Sequence, residues 1–218
     1  MEIVNSVLGH LVTLLVVVIP AYLLHRREMA KKNKEIQIHK ADTADYKIKA
    51  EVLDKILDFS AFNKIKDAVD EIFKTTRADR FLILIAINGK VDFNVVSVIF
   101  EQHKVSDYQV NAIARYKSLK VDDDYRNMLK RSEKYDIVEL ETATMNESLL
   151  KDIYTLEGVK FSNIRHLLRI KADERNDILV YSSLATHNEK GFSQLGKRTA
   201  NMVYDSVIRS TIKKVLEK

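Results

Sequence analysis

The stretch Phe81-Leu82-Ile83-Leu84-Ile85-Ala86-Ile87, closed by Asn88-Gly89 and followed by Phe93-Asn94-Val95-Val96-Ser97-Val98-Ile99-Phe100, decides the fold. Seven consecutive apolar residues show no helical spacing, which is the pattern of a strand covered on both faces. Asn-Gly is a strong two-residue hairpin signal, and the second run is rich in β-branched residues. An antiparallel hairpin pair follows.

The pattern changes on either side of this hairpin. Before it, Val52, Ile56, Phe59, Phe62, Ile65, Val69 and Ile72 recur at spacings of three and four, one face of a helix ending near Thr75-Thr76. That face suits packing against the chain's own sheet, with self-association as the second use. After it, residues 112–121 are an ambiguous third strand. Asp122-Asp123-Asp124 opens a helix through Lys134, residues 135–141 (YDIVELE) form a strand, and residues 146–156 form a short amphipathic helix. Residues 159–171 and 178–184 are two further strands. Residues 193–217 form a long helix with Leu195, Met202, Val203, Val207, Ile208, Ile212 and Val215 on its apolar side. The expected fold class is α+β: an antiparallel sheet with the first and last helices on one face and the middle segments on the other. Residues 48–218 give this domain room for one core.

The N-terminal region reads differently. Residues 3–24, IVNSVLGHLVTLLVVVIPAYLL, carry no formal charge, and at ~1.5 Å per residue they reach about 33 Å, enough for a bilayer core. The absence of a basic start and of a small-x-small site argues against a cleaved signal peptide. The expected domains are a transmembrane anchor over 1–25, a basic helical stalk over 26–47 and the α+β domain over 48–218. The net charge of +5 is concentrated in Arg26, Arg27, Lys31, Lys32 and Lys34, beside the apolar run. It therefore points to membrane lipid rather than nucleic acid. Positive-inside orientation places the C-terminal domain in the cytoplasm, with the periplasm as the alternative.

The element order resembles a GAF-type domain, related to PAS domains. The resemblance rests on Ala78-Asp79-Arg80-Phe81-Leu82-Ile83-Leu84 at the helix-to-strand entry. It rests also on Ile178-Leu179-Val180-Tyr181-Ser182-Ser183-Leu184 with Phe192-Ser193 at the closing strand and helix. It implies a small-molecule sensor fold over 48–218 that pairs through its first and last helices. The Asn-Lys-Phe motif of cyclic-nucleotide-binding relatives is absent. The layout also resembles phage-encoded proteins with one N-terminal membrane helix, and is similar to that of T-even phage holins.

Chemistry-bearing motifs are sparse. No cysteine is present, which excludes disulfides, thiolate zinc sites, cysteine nucleophiles and thioether-linked bilins. His10, His25, His39, His103, His166 and His187 include no pair at metal-ligand spacing. Asp122-Asp123-Asp124 reads as a helix cap before it reads as a magnesium site. Gly191 to Gly196 lacks a phosphate-loop lysine, and Ser182-Ser183 lacks the glycines of a nucleophile elbow. No enzyme activity, cofactor or metal is expected. Tyr135, Met145, Leu150 and Tyr154 are candidates for the apolar lining of a ligand pocket, with ordinary core packing as the competing use. Leu53, Leu57 and Leu216 lie off the main helical stripes and are candidates for homodimer contacts. The expected function is a membrane-tethered GAF-like regulatory module acting through self-association or a protein partner. A holin-type lysis protein is the alternative.

Overall fold

A computed structural model describes residues 59–87, 93–104, 111–171 and 177–216. The span at 3–24, the cations Arg26, Arg27, Lys31, Lys32 and Lys34, and both Leu53 and Leu57 lie outside the described residues. Among the described residues no helix is long and apolar enough to cross a membrane.

The elements run α1 (Phe59–Thr75), β1 (Arg80–Ile87), β2 (Val95–His103), α2 (Ala112–Arg115), β3 (Leu119–Lys120), α3 (Asp123–Tyr135), β4 (Ile137–Glu141), α4 (Leu149–Leu156), β5 (Phe161–Lys171) and β6 (Asp177–Thr186). A helical tail of α5 (Gln194–Val203), a π-helical turn (Tyr204–Arg209) and α6 (Ser210–Leu216) completes them. The strands form one six-stranded sheet in the order β3-β2-β1-β6-β5-β4, with every neighbouring pair antiparallel. The hairpin strands β1 and β2 pair as their sequence predicts, and β1 and β6 are central and buried along their whole length.

Alternation along the central strands divides the core in two. Phe81, Ile83, Ile85 and Ile87 pack with Val69, Ile72, Ile208 and Ile212 from the first and last helices. Leu82, Leu84 and Ala86 pack with Tyr125, Leu129, Leu150 and Tyr154 from the middle segments. Two bulges feed the helix-side core. One falls in the β1–β2 register at Ile83/Leu84 and the other in β5 at His166/Leu168. Each turns consecutive apolar residues, Ile99-Phe100 and Leu167-Leu168, toward the helices.

The tail helix corrects one expectation. Leu195 and Met202 are 76% and 73% exposed, while Gly196, Ala200, Tyr204, Ile208, Ile212 and Leu216 are buried. These six recur every fourth residue. In a regular α-helix each such step overshoots a full turn by roughly 40°, so the stripe would drift off the sheet. The π-helical turn at Tyr204–Arg209 is wider and rotates less per residue, which holds the stripe on the core. Leu216, a candidate for a pairing surface, is 6% exposed and belongs to this core.

The segment 112–121 is corrected as well. It holds a helical turn followed by the two-residue strand β3, with Ser118 at φ 57° between them. Its turn is fixed by acceptors at the helix start: Asn111 Oδ1 accepts the Ala114 amide at 2.9 Å, and Glu101 Oε2 accepts those of Ala112 and Ile113 at 2.8 and 3.2 Å.

Candidate functional site

The middle segments roof one face of the sheet, and Asp122 ties two of them together. Its Oδ1 accepts the Tyr125 amide at 2.8 Å, capping α3, and its Oδ2 accepts the Leu149 amide at 2.7 Å, at the start of α4. Within the acidic triplet, Asp122 is thus a cap shared by two helices.

Beneath the roof sits a small cavity of about 30 Å³, lined by Arg80, Tyr116, Tyr125, Tyr154, Glu157 and Tyr181 among others. That is room for water but far below the roughly 300–1,000 Å³ of an ordinary ligand pocket. Arg80 enters from the first position of β1, and Glu157 from the C-terminal end of α4. Their side chains are 2% and 1% exposed and form an ion pair through Arg80 Nη1 and Glu157 Oε2. The Tyr116 hydroxyl donates to the other carboxylate oxygen, and Arg115 Nη1 stands 4.0 Å from it at the rim. Burial, reinforced by the adjoining Glu157 carboxylate, holds the Tyr116 hydroxyl well above the ordinary phenol range, so it remains a donor. Arg80 Nε has no hydrogen-bond partner among the described residues.

The rest of the lining is aliphatic, with Leu82, Leu84, Val96 and Leu150 among it, apart from a group of hydroxyls. The Tyr125 and Tyr181 hydroxyls meet at 2.9 Å, and Tyr154 donates to Ser162 Oγ at 3.0 Å, which itself lies 3.0 Å from Ser183 Oγ. Burial raises all three tyrosine pKa values, keeping these groups neutral.

The corner that carries Glu157 is held from outside the cavity. His187 Nε2 lies 3.0 Å from the Glu157 backbone carbonyl, and His187 Nδ1 lies 2.8 Å from Asp79 Oδ1. Asp79 Oδ2 also accepts the His187 amide at 2.9 Å. Gly158 follows at φ 71°, a left-handed turn that leads from α4 into β5.

Of the predicted lining residues, Leu150 and Tyr154 line the cavity from α4. Met145 lies beside Leu150 in an open groove of about 290 Å³ on the outer side of the roof. Tyr135 is 61% exposed at the end of α3, with Lys134 Nζ 5.0 Å from its ring centroid, and does not line the cavity. The buried face of α3 ends at Ser132, and the chain leaves through Asp136 at φ 66°. Sequence reasoning missed Arg80, Tyr116, Glu157 and His187. The available signal was Arg80 itself: a charge opening a strand buried on both faces requires a buried partner. Among the described residues no cluster of three or more histidine or acidic side chains could hold a metal ion.

No protein-family model and no curated relative matches the chain. Solved structures similar to it are GAF domains. The GAF domain of a two-component sensor histidine kinase from Bacillus halodurans is 9% identical, with a TM-score of 0.48 over 70% of this chain and 93% of that one. A GAF domain/HD domain protein from Geobacter sulfurreducens is 11% identical, with a TM-score of 0.45 over 72% and 94%. The phycocyanobilin-bound GAF domain of a cyanobacterial phytochrome is 17% identical, with a TM-score of 0.39 over 77% and 93%. At these identities and scores, the ligands and partners of those proteins do not carry over to this chain.

Proposed function

We propose that this chain is a membrane-tethered, GAF-like regulatory module that binds a small polar molecule rather than transforming one. It passes the signal on by self-association or through a partner protein. The observation that supports this reading is Arg80: a buried guanidinium at the wall of a small cavity, with Nε unpartnered among the described residues. Taking an ion pair out of water costs several kcal/mol per ion, and well-packed apolar side chains of similar volume often stabilise a core as well or better. What the charged pair offers instead is a directional contact for a ligand's carboxylate, phosphate or carbonyl oxygen. At about 30 Å³ the cavity admits such a molecule only when the roof of α2, α3 and α4 moves outward.

Thermal unfolding of the full chain against a panel of small carboxylates, phosphates and amides tests the reading. A ligand at a hundred times its Kd should raise the midpoint by about 5–10 °C, and Arg80→Met should abolish the rise. A panel with no effect, or an equal rise in Arg80→Met, overturns the assignment.

A further inference from the structure

His187 presents a problem of donors and acceptors. Its Nδ1 faces the Asp79 carboxylate at 2.8 Å, and its Nε2 faces the Glu157 carbonyl oxygen at 3.0 Å. Both partners accept only, and a neutral imidazole has one N–H to give. The observed geometry is satisfied on both sides only by the imidazolium, with each ring nitrogen donating.

The contacts join three places that are distant in sequence. Asp79 precedes β1, His187 follows β6, and Glu157 ends α4 with its carboxylate on Arg80 inside the cavity. Thus the ring grips the backbone of the residue whose side chain closes the roof.

We propose that His187 is a proton-controlled latch on the Glu157 corner, closed as the imidazolium and released as the neutral ring. On losing a proton, the ring keeps Nδ1–H toward Asp79, because a carboxylate is the stronger acceptor. Nε2 then turns a lone pair on the Glu157 carbonyl, and an attraction becomes a repulsion. The end of α4 and the turn at Gly158 are freed, loosening the wall that carries Glu157 and Tyr154. As a control on ligand entry the latch rests on the Arg80 cavity being a binding site; as a control on local opening it stands on its own.

The charged groups on the elements that meet at the ring are Arg77, Asp79 and Arg80 at the β1 entry and Glu157 at the end of α4, whose carboxylate has Arg115 4.0 Å away. Lys160 comes from the approach to β5, paired with Glu189 at 2.9 Å, and Lys190 follows in the same turn. The Asp79 hydrogen bond is the main influence and raises the His187 pKa; burial and the Arg80 charge oppose it without cancelling it. The sign follows. A raised folded pKa means that the latch is fully engaged below the ordinary histidine value of about 6.5 and is lost as pH rises through the higher folded value.

The test uses the full chain in detergent, with ¹⁵N-labelled histidine and no ligand present. His187 is assigned by the signal missing in His187→Gln. At pH 6 both ring nitrogens should be protonated, and the titration should fall above pH 6.5. Through the same window the Gly158 and Val159 amides, which donate to Thr155 and Tyr154, should exchange about tenfold faster after correction for intrinsic catalysis. His187→Gln should show the faster exchange at every pH. If that variant does not fold, Asp79→Asn serves instead and should move the transition to lower pH. A ring already neutral at pH 6, or amide exchange that ignores the titration, overturns the latch. Either result leaves the Arg80 cavity to the ligand panel, which reads binding and not local opening.

Discussion

The two faces of the sheet are built from alternate residues of the same strands, yet they differ in kind. Toward the first and last helices, β1 and β6 present Phe81, Ile83, Ile85, Val180 and Leu184 to an apolar layer. Its polar exceptions include a hydroxyl pair, Ser182 with Tyr204 at 3.1 Å, and Arg165, which bonds Asn201 at 2.8 Å and stacks on the Tyr204 ring. Toward the roof the same strands present Arg80, Tyr181 and Ser183 to Glu157, Tyr116, Tyr125 and Tyr154. Packing on the helix face is satisfied by volume and stripe. On the roof face an apolar layer, with Leu82, Leu84, Leu129 and Leu150, surrounds a polar group whose donors must meet acceptors. A face that holds a fold together is cheapest when apolar, so the polar face is the one shaped by something besides stability.

The sharpest way to break that comparison is to remove one half of the roof's ion pair. Glu157→Gln leaves Arg80 buried without its counter-charge and should cost about 3–5 kcal/mol in urea unfolding. The double variant Arg80→Met/Glu157→Leu should recover most of this loss, or exceed the parent, while losing any response to ligand. Were the double variant as unstable as the single, the pair would be a structural necessity and the contrast between the faces would fall.

The helix face should respond to volume alone. Ile83→Ala deletes atoms from a fully buried position and should cost about 2–5 kcal/mol, depending on how far the site collapses. Its effect on stability should be independent of pH between 5 and 8, and exchange at Gly158 should keep its His187 dependence. A change in that dependence would show the two faces to be coupled rather than separate.

A smaller effect belongs to the rim of the roof. Burial raises the Glu101 pKa, but the hydrogen bonds from His103 and from the Ala112 and Ile113 amides outweigh it, so the group titrates below its ordinary 4.5. A depressed carboxylate contributes stability above its unfolded pKa and loses it as pH falls through the folded one. Urea midpoints of the parent and Glu101→Gln should therefore converge as pH drops from 6 toward 3. A constant gap over that range would mean that the carboxylate's charge is irrelevant to holding α2.

The sheet was legible because its signals are local. The run at 81–87, the Asn-Gly turn and the β-branched run after it carry period and punctuation within twenty residues, and the amphipathic stretches around them set which face each helix covers. Ser193, whose side chain accepts the Gly196 amide, starts the tail helix where the sequence places it, whereas α4 starts at Leu149, three residues after the expected 146, because Ser148 accepts the Lys151 amide there. The site was legible only in part. Leu150 and Tyr154 were placed under the roof by helical spacing alone, whereas Arg80 and Glu157 are 77 residues apart and Glu157 and His187 are 30 apart. No periodicity links them; only the sheet's register brings the ends of β1 and β6 to the corner of α4. The ambiguity at 112–121 had a similar cause, since the acceptor that favours a helical turn there is Glu101 on another element.

The tail helix supplies the smallest effect and the most direct check on how sequence period becomes structure. A regular α-helix drawn through residues 193–217 would bury Leu195 and Met202 together, seven positions apart on one face. With the π-helical turn the buried line instead runs through Gly196 and Ala200, where α5 approaches the end of α1 closely. A Cβ on Gly196 would stand 2.8 Å from Ser193 Oγ and 3.2 Å from the Thr75 carbonyl oxygen. Leu195→Glu and Met202→Glu should each leave the unfolding midpoint within about 0.5 kcal/mol of the parent, as exposed positions do. Gly196→Leu, one residue away, should be clearly destabilising, because a branched side chain must displace either the Ser193 cap or the main chain of α1. The two exposed side chains could also serve a partner, so sedimentation of both glutamate variants beside the parent separates the roles. Unchanged stability with lost self-association would make this outer face a pairing surface. A loss of 2 kcal/mol or more in Leu195→Glu or Met202→Glu would sink the four-residue stripe, and with it the π-turn's role in keeping the tail helix on the sheet.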